Sequence, residues 1–128
     1  MPARILYVDD EDDIREIAQM SLELDPEFEV RSSASGAEAL THAAAWQPDL
    51  ILLDVMMPDM DGPETLKRLG ESPLTASIPV AFITARTQTH QVEHYLATGA
   101  VGVIAKPFDP LALAGEVRKL LSSSAGSL

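Results

Sequence analysis

The sequence predicts an α/β domain in which five βα units wind around one parallel sheet. Apolar strand-like runs alternate with amphipathic stretches of helical period, the pattern of βαβ units. Four of those runs, at about 4–8, 50–53, 79–83 and 101–105, are too apolar for a half-exposed strand, so helices are expected to cover both faces of each. Each of the four also ends on a polar residue: Asp9-Asp10, Asp54, Thr84 and Lys106. In an open parallel sheet, ligands bind just beyond the carboxyl ends of the strands. The fold would therefore gather three carboxylates, a hydroxyl and an ammonium at one spot.

Taken in order, Ile5-Leu6-Tyr7-Val8 forms the first strand, and Ile14, Ile17, Ala18, Met20, Ser21 and Leu24 mark the inner face of the first helix. Phe28-Glu29-Val30-Arg31 alternates apolar with charged residues, as a strand at a sheet edge does. Ser35-Gly36-Ala37-Glu38 is a capping box that opens the second helix. Trp46 is expected to pack over the sheet edge, and Pro48 marks the turn into the third strand, Leu50–Leu53. Asp61-Gly62-Pro63-Glu64 starts the third helix, with proline in the first turn where its missing donor costs nothing. After the fourth strand, Thr87 or Thr89 is expected to cap a helix ending near Gly99. Asp109-Pro110 opens the fifth helix, and Ser122 to Leu128 reads as a frayed Ser/Gly tail. Neither an internal repeat nor a second domain is visible, so residues 1–121 form the domain and 122–128 a flexible tail.

A chain of 128 residues is long enough to bury a core without staples, and it has no cysteine to form a disulfide, a thiolate metal site or a nucleophile. The formal net charge of −11 argues against direct binding to nucleic acid or an anionic membrane. Met1-Pro2-Ala3-Arg4 leads straight into a strand without a signal-peptide apolar core, and the longest apolar runs fall far short of a membrane span. The expected compartment is the cytoplasm.

Asp9, Asp10 and Asp54 brought together would repel one another unless a cation sat among them. An all-oxygen donor set suits a hard ion such as Mg²⁺, whereas zinc prefers histidine or cysteine. With such an ion, Asp54 becomes a candidate nucleophile toward phosphorus, because carboxylates form acyl phosphates once charge is neutralised around them. Lys106 can neutralise one phosphoryl oxygen and the Thr84 hydroxyl can donate to another, while the small Ala85 leaves room for entry.

These residues resemble the receiver domain of two-component response regulators. The resemblance rests on Asp9-Asp10, on Asp54 followed by Met57-Pro58 and Asp61-Gly62, on Thr84-Ala85 and on Lys106-Pro107-Phe108. Order and spacing fit as well as identity: 45 residues from Asp9 to Asp54, 30 to Thr84 and 22 to Lys106. The likeness covers about residues 3–121. It implies the flavodoxin-like (βα)5 fold of the CheY-like superfamily, with strand order 2-1-3-4-5. It also implies a phosphoacceptor role for Asp54, charged from the phosphohistidine of a sensor kinase or phosphotransfer protein. The implied Mg²⁺ ligands are Asp9, Asp54 and the Met56 backbone carbonyl, with Asp10 directly or through water. Thr84 and Lys106 would assist, and Lys106-Pro107 would be a cis peptide. By the same resemblance the protein is not an enzyme beyond its own aspartyl phosphorylation and dephosphorylation. It would act as a monomer or weak dimer on a downstream protein, through the face of the fourth helix, fifth strand and fifth helix.

One position departs from the pattern: receivers usually carry Tyr or Phe three residues before the lysine, where this chain has Val103. The aromatic residue moves inward in the family when the threonine swings toward the phosphoryl group, so the substitution touches the output path and leaves the chemistry alone. Two other readings fit less well. Haloacid-dehalogenase phosphatases resemble Asp-x-Asp at the nucleophile, but Asp54-Val55-Met56 lacks the second acid, and here the acidic pair comes first in the chain. A flavin-binding module needs a Gly/Ser/Thr-rich phosphate loop after the first strand, where Asp9 to Asp13 would repel a phosphate. His90-Gln91-Val92-Glu93-His94 matches the H-x-x-E-H zinc-peptidase pattern, yet without a further ligand it reads as two exposed histidines on a helix.

Overall fold

The computed structural model describes residues 2–126, with side chains through Ser122. Five strands, β1 (Ala3–Val8), β2 (Phe28–Ser33), β3 (Leu50–Asp54), β4 (Val80–Thr84) and β5 (Gly102–Ala105), alternate with five helices. The helices are α1 (Asp12–Glu23), α2 (Gly36–Trp46), α3 (Gly62–Gly70), α4 (Thr89–Ala97) and α5 (Leu113–Gly126). All strand pairs are parallel and the order is β2-β1-β3-β4-β5. The flavodoxin-like (βα)5 architecture expected from the sequence is therefore present.

Strand alternation splits the core into two layers. Leu6, Val8, Ile51, Leu53, Val80 and Phe82 pack under α2, α3 and α4. Ile5, Tyr7, Leu50, Leu52, Ala81 and Ile83 pack under α1 and α5. Burial on both faces explains why β1, β3 and β4 carry continuous apolar runs. The outer strands differ. β2 alternates as an edge strand should, with Glu29 and Arg31 exposed. β5 is the other edge: only Ile104 is fully buried there, while Val101 is exposed and Val103 half-buried. The expected burial of both its faces fails because helices cover an edge incompletely.

The cap signals hold in part. The Glu38 N–H donates to Ser35 Oγ at 3.1 Å, one half of the box that starts α2, while Glu38 Oε1 accepts at 3.2 Å from the N–H of Ala34, one residue before the cap. Asp61 accepts from the Glu64 N–H at 2.9 Å at the start of α3. Neither Thr87 nor Thr89 caps α4; Gln88 sits at that position without a side-chain hydrogen bond. α4 ends at Ala97, and Gly99 takes φ 108°, a conformation that suits glycine. A turn built on Asp109 delays α5 to Leu113, three residues after the proline expected at its start. The helix is continuous to Gly126, through most of the expected tail, and Ser127 and Leu128 lie outside the described residues. On α1 the buried face is Ala18, Ser21 and Leu22 with Ile14 partly covered, whereas Ile17, Met20 and Leu24, expected inside, are exposed. Tertiary packing chose a face rotated from the apolar stripe. Trp46 is buried as expected, with the guanidinium of Arg31 4.6 Å from its ring centroid.

Candidate functional site

The parallel sheet delivers the ends of β1, β3, β4 and β5 to one edge, and the four polar residues meet there. Lys106 Nζ lies 3.1 Å from Asp9 Oδ2, 3.2 Å from Asp54 Oδ2 and 3.6 Å from Glu11 Oε1. Asp9 is fully buried, Asp54 is 3% exposed, and Asp10 is exposed at the rim. One carboxylate oxygen from each of the three lies within 4.8 Å of the others. Thr84 is buried at the end of β4, and its Oγ1 accepts from the Arg86 N–H at 3.0 Å. Met56 is 70% exposed beside the cluster, and its N–H points to Asp54 Oδ1 at 3.4 Å. The Lys106–Pro107 peptide is cis.

Local sequence explains this convergence. Gly62 presses on the β3 terminus: its N–H donates to the Val55 carbonyl at 2.9 Å. A Cβ built on it would come 2.6 Å from the Asp54 carbonyl oxygen and 2.8 Å from Val55 Cα. No side chain fits there, which is the physical content of the Asp61-Gly62 pair. On the β1 side, Arg15 Nη1 donates to the Asp9 carbonyl at 2.8 Å and the Glu11 N–H to Asp9 Oδ1 at 3.0 Å.

The electrostatics record a surplus of negative charge. Burial, followed by the charge of Asp9, raises the Asp54 pKa to about 6, against the lowering pull of Lys106 and the Met56 N–H. Burial works against the Lys106 ammonium, but its bonds to Asp9 and Asp54 outweigh that and raise its pKa. Burial and the neighbouring Asp9 likewise push the Tyr7 phenol up, and its hydroxyl donates to Asp9 Oδ2 at 3.2 Å. One ammonium therefore serves several carboxylates. An all-carboxylate donor set with this unmet charge fits a hard divalent cation.

Beyond the cluster opens a cleft of about 550 Å³, with Asp54, Thr84 and Lys106 at its polar end. Apart from Glu11, its other walls are apolar and include Ile14, Ile17, Met56, Pro107, Phe108 and Pro110. Asp9, Asp10, Asp54 and Lys106 thus converge, and Thr84, Ala85 and Met56 line the cleft beside them. Sequence reading missed Tyr7, Glu11 and Arg15 as their partners. Tyr7 was legible in principle, two residues before Asp9 on the same strand face. Glu11 and Arg15 depend on how the β1–α1 loop folds back. The other sequence motif does not assemble a metal group: His90 and His94 are exposed on α4, and the trio Asp9, Asp10 and Asp54 is the one such cluster among the described residues.

The comparisons agree with this geometry. A family model for the response regulator receiver domain matches residues 5–118. Response regulator Rre1 of Synechocystis is 40% identical over 98% of this chain, which spans 57% of that protein. Response regulator PleD of Caulobacter vibrioides is 42% identical over 94% of the chain, which spans 26% of that protein. The chain thus covers between a quarter and somewhat more than half of these relatives. Among solved structures, the chemotaxis protein CheY4 of Vibrio cholerae superimposes with a TM-score of 0.85 at 32% identity, covering 94% of this chain and 99% of that one. A response regulator from Chloroflexus aurantiacus gives a TM-score of 0.84 at 34% identity, covering 95% and 99%. No described helix is long and apolar enough to cross a membrane. With its strand order, its strand-end cluster and these similarities together, the chain belongs to the response regulator receiver domain family.

Proposed function

We propose that residues 1–121 act as a phosphoacceptor switch in a two-component system, taking a phosphoryl group from a phosphohistidine onto Asp54. The observation that carries this reading is a buried carboxylate, held 3.2 Å from a lysine, at the polar end of an open apolar cleft. An Asp54 carboxylate oxygen attacks phosphorus, the new O–P bond forms, and the N–P bond to the donor imidazole breaks with its electron pair going to the ring. Lys106 neutralises one phosphoryl oxygen and the Thr84 hydroxyl donates to another. Asp9, Asp10, Asp54 and the Met56 carbonyl would hold Mg²⁺. When bound, that ion supplies charge neutralisation for the carboxylates and the incoming phosphoryl group. The raised Asp54 pKa supports a site built to be completed by a cation. The turnover is confined to the protein's own aspartyl phosphate, so it is a switch, not an enzyme with a released product.

The donor's approach is supported by the apolar rim. Ile17 and Met20 on α1 and Leu24 at its C-terminal cap are 43%, 63% and 64% exposed and flank Pro110, continuous with the cleft through Ile17 and Pro110. A histidine-bearing helix of a kinase or phosphotransfer protein laid there would bring its imidazole to Asp54. The downstream protein would read the face of α4, β5 and α5, and the cytoplasm is where such a kinase keeps its donor histidine. Incubation with acetyl phosphate and Mg²⁺ should add one phosphoryl mass, labile to hydroxylamine. If Asp54→Asn takes up label at the wild-type rate, Asp54 is not the acceptor.

A further inference from the structure

Resting on the phosphoacceptor reading, we infer that Tyr95 is the positioning residue through which Asp54 reaches the surface, coupling α4 to Phe82 and Thr84. Val103 cannot supply a mobile ring, and the structure shows which ring stands nearby. Val103 is paired with Phe82 across the sheet and packs only partly into the core layer under α4. The ring lying on Phe82 comes from the helix: Tyr95 has its centroid 5.2 Å from that of Phe82, at an interplanar angle of 57°. Tyr95 is 8% exposed and is the one buried residue of α4. A ring mounted on a strand can change rotamer while the backbone stays still. A helix whose one buried side chain is a ring is placed to move when that ring moves.

The link back to the site is short. Val80 and Phe82 belong to the layer under α4, and strand alternation puts Thr84 in phase with them. In this state the Thr84 Oγ1 accepts from the Arg86 N–H. A swing of that hydroxyl toward a phosphoryl oxygen on Asp54 releases the Arg86 amide. The following segment has little to resist the change: Ala85 to Gln88 are exposed and α4 starts without a side-chain cap. A polar hollow lined by Ala85, Arg86, Thr87, Gln88 and Gln91 leaves space for it to rearrange. The displacement then reaches Tyr95, and α4 shifts or loosens as a unit about its contact with Phe82. A ligand shifts an equilibrium only through contacts that differ between the states, and Phe82–Tyr95 supplies the difference here.

Amide exchange with and without beryllium fluoride and Mg²⁺, in wild type, Tyr95→Phe and Tyr95→Leu, tests the inference. Binding of the mimic is followed separately by fluorine NMR. In wild type, the opening equilibrium across residues 89–97 should change about fivefold or more on binding, with little change at residue 103. Tyr95→Phe should keep that response and Tyr95→Leu should bring it near unity, while Asp54 is still phosphorylated by acetyl phosphate. By reciprocity, Tyr95→Leu should alter the affinity for beryllium fluoride by the same factor. An equal loss of protection in both states of Tyr95→Leu would make Tyr95 merely structural and overturn the inference. So would a wild-type α4 that ignores bound mimic, a result available even if the leucine variant does not fold. Failure of the mimic to bind at all would instead sink the phosphoacceptor reading beneath it.

Discussion

Replacing Asp54 by Asn should stabilise the metal-free protein, although it removes an ion pair. The carboxyl titrates at about 6 rather than at its ordinary 3.8, because burial and Asp9 together outweigh Lys106. A shift of that size, reduced by solvent screening at the open cleft, penalises the ionised native state by about 2–3 kcal/mol at neutral pH. The amide carries no charge, and Lys106 keeps Asp9 at 3.1 Å and Glu11 at 3.6 Å. Weaker hydrogen bonding by the amide to Lys106 and Met56 returns about 1 kcal/mol of the gain. The net expectation is about 1–2 kcal/mol, a rise in melting temperature on the order of 5 °C for a domain of this length. The sign with pH follows from the direction of the shift. A carboxyl whose folded pKa is raised contributes stability that is complete below its unfolded value and is lost as pH rises through the folded value. Wild-type stability in EDTA should therefore decline between about pH 4 and pH 7 relative to Asp54→Asn, and the gap should be widest at the upper end. Thermal melts of both proteins across this range provide the measurement. A variant that melts below wild type at neutral pH, or a gap that does not vary with pH, would show that the Lys106–Asp54 attraction dominates the site.

Three further outcomes follow from the same geometry. Millimolar Mg²⁺ should raise the wild-type melting temperature, by about 2.7 kcal/mol of stability at a hundredfold excess over Kd; Asp9→Asn should flatten that response in a calorimetric titration. Lys106→Met should destabilise the metal-free fold by about 1–3 kcal/mol in urea, since it strands Asp9 and Asp54 without their shared cation, and it should slow labelling by acetyl phosphate. Gly62→Ala forces a Cβ to within 2.6 Å of the Asp54 carbonyl oxygen; chemical denaturation should show a loss of about 1–3 kcal/mol, with slower phosphorylation because the end of β3 is displaced.

Much of this site was legible in the sequence because its residues are fixed by strand ends. A residue that closes a buried strand has little choice of position, so Asp9, Asp54, Thr84 and Lys106 could be placed from apolar runs alone. Helix faces were less legible. The stripe Ile17, Met20 and Leu24 has the right period for burial yet lies on the surface, while Ser21 is buried with its hydroxyl donating to the Ile17 carbonyl at 2.7 Å. Period identifies a helix; which side it turns inward depends on neighbours such as Leu113 and Val117 of α5. The α4 cap failed for a related reason: Thr87 and Thr89 are both suitable caps, and the loop from Thr84 set a start that uses neither. Loop conformation is also why Glu11 and Arg15 were invisible as partners of Lys106 and Asp9.

The misread α1 stripe and the absent ring at Val103 mark the two ends of one path. On the α1 side, apolar side chains stay exposed beside the cleft at the expense of burial, which under the proposed phosphoacceptor reading is the form a docking surface takes. On the α4 side, a helix with one buried residue and no side-chain cap follows the strand end that carries the Thr84 hydroxyl. Low local stability belongs where a segment must respond to a small change. Between the two lie β1, β3 and β4, buried on both faces and least able to deform. The rigid strands β1 and β3 hold Asp9 and Asp54 in place, so under the proposed phosphoacceptor reading a phosphoryl group on Asp54 has one soft neighbour to move. The asymmetry of the scaffold gives the signal its direction.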